Sequence, residues 1–256
     1  MKKIVFHMDL DNTIIYTEKH MLNADKQCVE RYEGREFSFV TPKTYELLQK
    51  ITKQVIMVPT TTRTIQQYNR IDLKVGTFSY ALVCNGGVLL VDGKEDEAWY
   101  EQSLRRICRS KKELIQAMEF LEKDKRRTFE LRFIRELFVF TKCEEPMAVT
   151  EELKELLDME VVDVFQNGVK IYVVPKSLSK GDAVCRFREY VGADYVIAAG
   201  DSDFDISMLE SSDLGIAPYD LSNRYRFSDN VKCLTDQVLY ADALLEYVYR
   251  IINTIC

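Results

Sequence analysis

Four short apolar runs, each giving way at once to polar residues, constrain this chain more than any other feature. Residues 3–8 (KIVFHM) run into DLDNT at 9–13, and residues 55–58 (VIMV) lead into PTTTR. Residues 80–84 (YALVC) precede Asn85-Gly86-Gly87, and residues 195–199 (YVIAA) precede GDSDFD at 200–205. Partly β-branched apolar runs bounded by polar turns read as buried strands. Helical patterns lie between them. In TPKTYELLQKI, Thr41 supplies an N-cap, Pro42 the first helical position, and Tyr45, Leu47, Leu48 and Ile51 an apolar face. Further helices are expected from about Arg63 to Leu73, over SKGDAVCRFREYV, and over DISMLESS before a last buried strand at LGIA. Strands and helices in alternation predict an α/β fold built on a doubly wound parallel sheet.

The alternation stops near residue 88 and resumes near 175, so the core is expected to be split, 1–87 with 175–256, around an inserted α/β unit at 88–174. Within the insert the pattern predicts a long charged helix at roughly 101–125, a strand over LRFIRELFVF and a helix near 150–158. Two runs, VVDVF and VKIYVV, are joined by Gln166-Asn167-Gly168. Asn-Gly between such runs signals a hairpin. The insert is expected to lie over the core's loops, and residues 16–40, with Glu33-Gly34 between two mixed runs, to form a smaller hairpin flap.

Composition narrows the class of partner. With 256 residues, 46% hydrophobic and 30% charged, and only 10 Gly and 5 Pro, the chain has material for a sizeable core and little of the composition of disorder. A net charge of −6 disfavours nucleic acid or anionic lipid and favours a small molecule. The 7 cysteines show no C-x-x-C pair, which suits a reduced, cytoplasmic setting. The first apolar run is cut short by His7 and Asp9, and nowhere are there the ~18 consecutive apolar residues of a membrane span. A soluble, unexported protein is expected.

In open α/β sheets, ligands bind beyond the carboxyl ends of the strands. The residues there form one set: Asp9, Asp11 and Thr13; Thr60, Thr61, Thr62 and Arg63; Asn85; Asp201 and Asp205; and Lys180 at the start of a helix. Phosphoryl transfer needs a nucleophile, a proton donor for the leaving oxygen, a divalent cation and donors around the phosphoryl oxygens. With Asp11 protonated, the charges of Asp9, Asp201 and Asp205 are offset by a divalent cation and Lys180. Such a pocket can admit a phosphate dianion.

In order and spacing, these motifs resemble those of the haloacid dehalogenase superfamily: DLDNT, a Thr after the second strand, a Lys before a helix, and GDSDFD. The insert resembles the superfamily's type 2 cap, and NGG at 85–87 with DISML at 205–209 is similar to the Cof-like and sucrose-phosphatase-like branch. The resemblance implies a Rossmann-like core and a Mg2+-dependent phosphatase for a small phosphorylated metabolite, with a sugar phosphate favoured. It implies Asp9 as nucleophile, Asp11 as general acid/base, Thr61 as phosphoryl donor and Lys180 as charge stabiliser. Asp9, Asp201, Asp205 and the backbone carbonyl of Asp11 would hold the metal, and Thr62 and Asn85 would touch substrate. A phosphomutase of the phosphomannomutase type is the nearest rival reading, and a non-catalytic phosphate-binding module a more distant one.

Several positions depart from the common pattern or admit another reading. Asn12 stands where many relatives have Gly, TTTR replaces Thr-Gly-Arg so that Thr60 competes with Thr61, and Phe204 replaces an Asn. Asp203 is an alternative metal-side carboxylate or a solvated one. Asn85 either meets substrate or shapes its turn, His7 is expected to be a hydrogen-bonded core histidine, and Arg63 to anchor a carboxylate or a loop. Lys176 and the charged stretch from Arg105 to Arg127 read as solvated surface.

Overall fold

The computed structural model describes residues 2–21, 25–235 and 239–255. Among them five strands form a parallel sheet: β1 (Ile4–Met8), β2 (Ile56–Pro59), β3 (Tyr195–Ala199), β4 (Leu214–Pro218) and β5 (Val231–Leu234). Their order across the sheet is β5-β4-β3-β1-β2, the doubly wound order in which β1 and β3 sit side by side although 186 residues of chain separate Met8 from Tyr195 (195 − 8 − 1). The chain enters the sheet at its middle and winds outward in both directions, so β1 and β3 diverge at a topological switch point.

Both faces of this sheet are covered, which is why its strands read as continuous apolar runs. Ile4, Phe6 and Met8 of β1 and Ile197 and Ala199 of β3 join a core with Leu47, Leu48 and Ile51 of the helix Pro42–Ile51 and Leu244, Leu245, Val248 and Ile252 of the helix Tyr240–Ile255. Val196 and Ala198 join Val184 of the helix Lys180–Val191 and Met208 and Leu209 of the helix Ile206–Glu210 on the other face. The helix at Pro42 starts as expected, with the Thr41 side chain accepting from the Thr44 backbone N–H at 2.9 Å.

The third apolar run is not a full member of the parallel sheet. Tyr80–Val83 makes one parallel bridge, Thr60↔Leu82, and otherwise pairs antiparallel with Val88–Val91 through the turn at Cys84–Gly87. The helix expected from Arg63 is short, Ile65–Tyr68, closed at its start by a capping box between Thr64 and Gln67. The flap is a hairpin, Gln27–Tyr32 with Arg35–Val40, turning at Glu33 and Gly34, both with positive φ.

The chain divides into two compact units, Met1–Glu95 with Lys180–Cys256, and Asp96–Ser179. These limits differ from the sequence reading of 88–174, because Val88–Val91 and Lys94–Glu95 remain paired with the Tyr80–Val83 hairpin. Taken by itself, the inserted unit is a four-stranded antiparallel sheet backed by helices around Leu114, Leu121, Val139, Leu153 and Ile171. Its charged region is two helices, Glu97–Arg106 and Lys111–Lys123, and the third helix runs from Pro146 to Leu156. LRFIRELFVF is not one strand but a hairpin, Arg132–Ile134 with Phe138–Lys142, because Arg135 and Glu136 both adopt positive φ. The Asn-Gly hairpin forms between Val162–Asn167 and Lys170–Pro175.

Candidate active site

The residues singled out after the first and fourth apolar runs meet where β1 and β3 end. Asp9 follows β1 directly, its backbone N–H donating to the Ala199 carbonyl at 2.9 Å, which ties it to the end of β3. The loop beyond it is held on two sides. Asn12 N–H donates to the Ile15 carbonyl at 2.8 Å, while the Tyr16 phenol donates to the Thr13 carbonyl at 3.3 Å and accepts from Ala241 N–H at 3.0 Å. Asn12 has φ 61, a left-handed conformation that asparagine tolerates better than most residues. Asn at a position where Gly is common therefore leaves the loop geometry intact.

Lys180, wholly buried at the start of its helix, donates from Nζ to Oδ1 of Asp9 and to Oδ1 of Asp205, each at 2.5 Å. Burial works against its charge, but Asp205 and Asp9 outweigh it and hold the ammonium protonated well above the ordinary lysine range. Asp205 is equally buried, and its Oδ2 accepts from the backbone N–H of Asp201 at 3.1 Å, the N–H of Ser202 at 3.0 Å and the Ser202 hydroxyl at 2.7 Å. The GDSDFD loop thus wraps around its own last carboxylate. Gly200 is required there, since a Cβ would collide with the Asp205 side chain, and Gly181 is required where its helix crosses the backbone of Ser207.

Asp201 completes the cluster, its Oδ1 accepting from the Thr13 hydroxyl at 2.9 Å. Burial, then repulsion from Asp205, pushes Asp201 up to about 7, and burial drives Asp9 well above the usual carboxylate range against the opposing pull of Lys180. Asp9, Asp201 and Asp205 each offer an oxygen within 4.8 Å of the others. Three converging carboxylates facing one ammonium leave an excess of negative charge that a hard, oxygen-seeking divalent cation suits. Asp203 stands outside this group, exposed and ion-paired with Arg224 at 3.1 Å.

The two threonines that compete in sequence are separated by the fold. The Thr60 hydroxyl donates to the Val58 carbonyl at 3.1 Å and lies 2.9 Å from Nδ1 of His7. Burial pushes the imidazole down to about 3. His7 is a neutral core residue set edge-on to Phe187. Thr61 accepts from Arg63 N–H at 3.2 Å, and Thr62 beside it is half-buried. Asn85, in its positive-φ turn, donates its backbone N–H to the Thr61 carbonyl at 3.0 Å, so the turn and the second motif are one structure.

Arg63 anchors carboxylates, as its position suggests, but two of them. It holds Asp11 through Nε to Oδ2 at 2.8 Å and Nη2 to Oδ1 at 2.7 Å, and it also holds the buried Glu30 of the flap. Glu30 and Ser202 were not legible as site residues. Lys176 lies in the inserted unit, exposed and 3.9 Å from Asp163, while Arg126 pairs with Asp124 and Glu152.

Residues 6–222 match the family model of haloacid dehalogenase-like hydrolases. A phosphoglycolate phosphatase from Methanopyrus kandleri is 29% identical over 210 residues, covering 78% of this chain and 83% of that protein. The sucrose-phosphatase of Synechocystis, solved with sucrose and phosphate, superposes with a TM-score of 0.68 at 17% identity over 98% of both chains. A phosphatase of the same superfamily from Bacteroides thetaiotaomicron gives 0.57 at 15% identity, covering 98% of this chain and 95% of that one. These two structures share the fold. With the family match spanning most of its length, this chain belongs to the haloacid dehalogenase-like hydrolases.

Proposed function

We propose that this hydrolase is a Mg2+-dependent phosphatase of a small phosphate monoester, with a sugar phosphate as the substrate class, working in a reducing, cytoplasmic setting. The observation that carries the reading is the bridge from Lys180 to Asp9 and Asp205 beside Asp201, three oxygen donors and one fixed cation around the residue that follows β1. The likeness to a phosphoglycolate phosphatase supports a small phosphate monoester, and the fold shared with sucrose-phosphatase favours a sugar phosphate among them. The free thiols of the six described cysteines suit the compartment, and among the described residues no helix is long and apolar enough to cross a membrane.

In the first step an oxygen of Asp9 attacks phosphorus, the ester P–O bond breaks, and Asp11 gives its proton to the departing alkoxide. In the second, Asp11 takes a proton from water, whose oxygen attacks phosphorus and breaks the bond to Asp9, releasing phosphate. Lys180 and the Thr61 hydroxyl stabilise charge on the phosphoryl oxygens. Thr62 and Asn85 are the residues assigned to touch substrate. Asp9, Asp201, Asp205 and the Asp11 carbonyl are the groups that would hold Mg2+, which would supply positive charge for a phosphate dianion.

A panel of phosphorylated metabolites assayed for phosphate release tests the reading. Release that requires Mg2+ and is weak with Ca2+, which takes more ligands at longer distances, is the expected result. Recovery of an isomeric monoester without phosphate would indicate a mutase, and equal rates with both ions would contradict the metal assignment.

A further inference from the structure

Glu30 is out of keeping with its surroundings. It belongs to a hairpin strand whose ends, Gln27 and Tyr32, are exposed, yet its own side chain is 0% exposed. The hairpin register slips on both sides of it, between Cys28 and Glu30 and between Glu30 and Arg31. Such irregularities re-aim a side chain, here from the surface to the interior. The strand is fixed there from behind, by the antiparallel bridge Glu30↔Ile71 and by Asp72 N–H donating to the Val29 carbonyl at 2.8 Å.

A buried carboxylate is costly unless every lone pair is answered. Glu30 accepts from Nη1 of Arg63 at 2.9 Å and Nε of Arg70 at 3.0 Å on Oε1, and from Nη2 of Arg63 at 3.0 Å and the Ser38 hydroxyl at 2.6 Å on Oε2. The Arg63 guanidinium is therefore shared between two carboxylates. Glu30 takes one edge and is buried; Asp11 takes Nε and Nη2, with a side chain 48% exposed. Burial opposes the charge of Arg63, but Asp11 and Glu30 outweigh it and keep the guanidinium protonated. Because that group is a rigid planar fork, fixing the edge toward Glu30 fixes the direction of the edge toward Asp11.

We propose that Glu30 is a positioning residue for Asp11, acting through Arg63: the flap hairpin sets the guanidinium plane and thereby the place to which the Asp11 carboxylate returns. This rests on the reading of Asp11 as the group that protonates the leaving oxygen. A misplacement of that group by ~1 Å is enough to cost about 10²-fold in rate. The consequence falls on leaving groups that need a proton, such as a sugar alkoxide, and spares p-nitrophenolate, which departs as a stable anion.

The test uses the full-length protein with Mg2+ in single-turnover experiments that isolate transfer to Asp9. The two esters are p-nitrophenyl phosphate and the sugar phosphate turned over fastest in the metabolite panel. Asp11→Asn is expected to slow transfer from the sugar phosphate by about 10² to 10⁴-fold and from the aryl ester far less. Glu30→Gln is expected to slow the sugar phosphate by about 10²-fold, the aryl ester no more than about 3-fold, and to add nothing on the sugar phosphate once Asp11→Asn is present. Equal losses on both esters, or an effect that multiplies with Asp11→Asn, would overturn the proposal and make Glu30 structural. If Asp11→Asn itself failed to discriminate between the esters, the reading of Asp11 would fall first. Should Glu30→Gln not fold, Glu30→Asp carries the test, since it keeps the charge but is too short to meet both arginines, and the same discrimination between esters decides.

Discussion

Burial leaves Asp201 with a proton that a free aspartate would have lost. Its pKa is about 7 in the fold against an ordinary 3.8. Between those values the folded state binds more protons than the unfolded one, so the metal-free protein loses stability as pH rises through the window. Asp201→Asn does not titrate and should show less of this loss between pH 5 and 8 in thermal melts. His7, down at about 3, acts in the opposite direction below its ordinary 6.5, but equally in both proteins, whereas Asp9 is raised in part by Asp201, so the difference reports the two carboxylates together. Mg2+ should restore more stability at pH 8 to the parent than to the variant. Matching pH profiles would contradict the assignment. At this scale the meeting of Asp9, Asp201, Asp205 and Lys180 was readable, because polar residues that can serve a ligand gather after the strands of such a sheet. What separates Thr60 from Thr61 was not, since both follow β2 directly and only the contact of Thr60 with His7 tells them apart. Glu30 was invisible because a hairpin of mixed polarity reads as surface and its partner Arg63 lies 33 residues away.

The helix Tyr240–Ile255 covers one face of the central sheet and meets the motif loops through the Tyr240 phenol, 3.5 Å from the Gly200 carbonyl, and through Ala241 N–H, which donates to the Tyr16 phenol. Leu244 is fully buried within it. Leu244→Ala removes side-chain atoms from a closed core and is expected to cost about 2 to 5 kcal/mol, measured by urea denaturation. Substrate KM should stay unchanged, because the helix contributes no side chain to the cluster at Asp9; a large KM change would show that the core and the site are coupled. Elements with regular patterns and clear stops were legible, such as the helix at Pro42 with its Thr41 cap. The hairpin hidden in LRFIRELFVF was not. Its turn uses Arg135 and Glu136 at positive φ, with neither Gly nor Asn to announce it, inside a run apolar enough to pass for one strand.

Taken whole, the chain joins two folding units by two crossings, at 95–96 and 179–180. The inserted unit has its own core, so a fragment of residues 96–179 is expected to fold alone, giving dispersed amide signals and a cooperative melt. A fragment without cooperative unfolding would mean that its core depends on the rest of the chain. The split itself was legible from the interruption and return of strand–helix alternation, whereas its edges were not, because the strand pair that closes the first half lies beyond the last motif residue. At the scale of the whole enzyme, the proposed phosphatase stands on Asp9 as its nucleophile. Phosphate release from the best substrate of the panel, compared between the parent and Asp9→Asn with Mg2+ present, tests it most directly, the fold being checked by circular dichroism. A loss exceeding the ~10⁴-fold upper range for removing a general acid/base is expected, since the amide is nearly isosteric but a poor nucleophile. Substantial release by folded Asp9→Asn would contradict it.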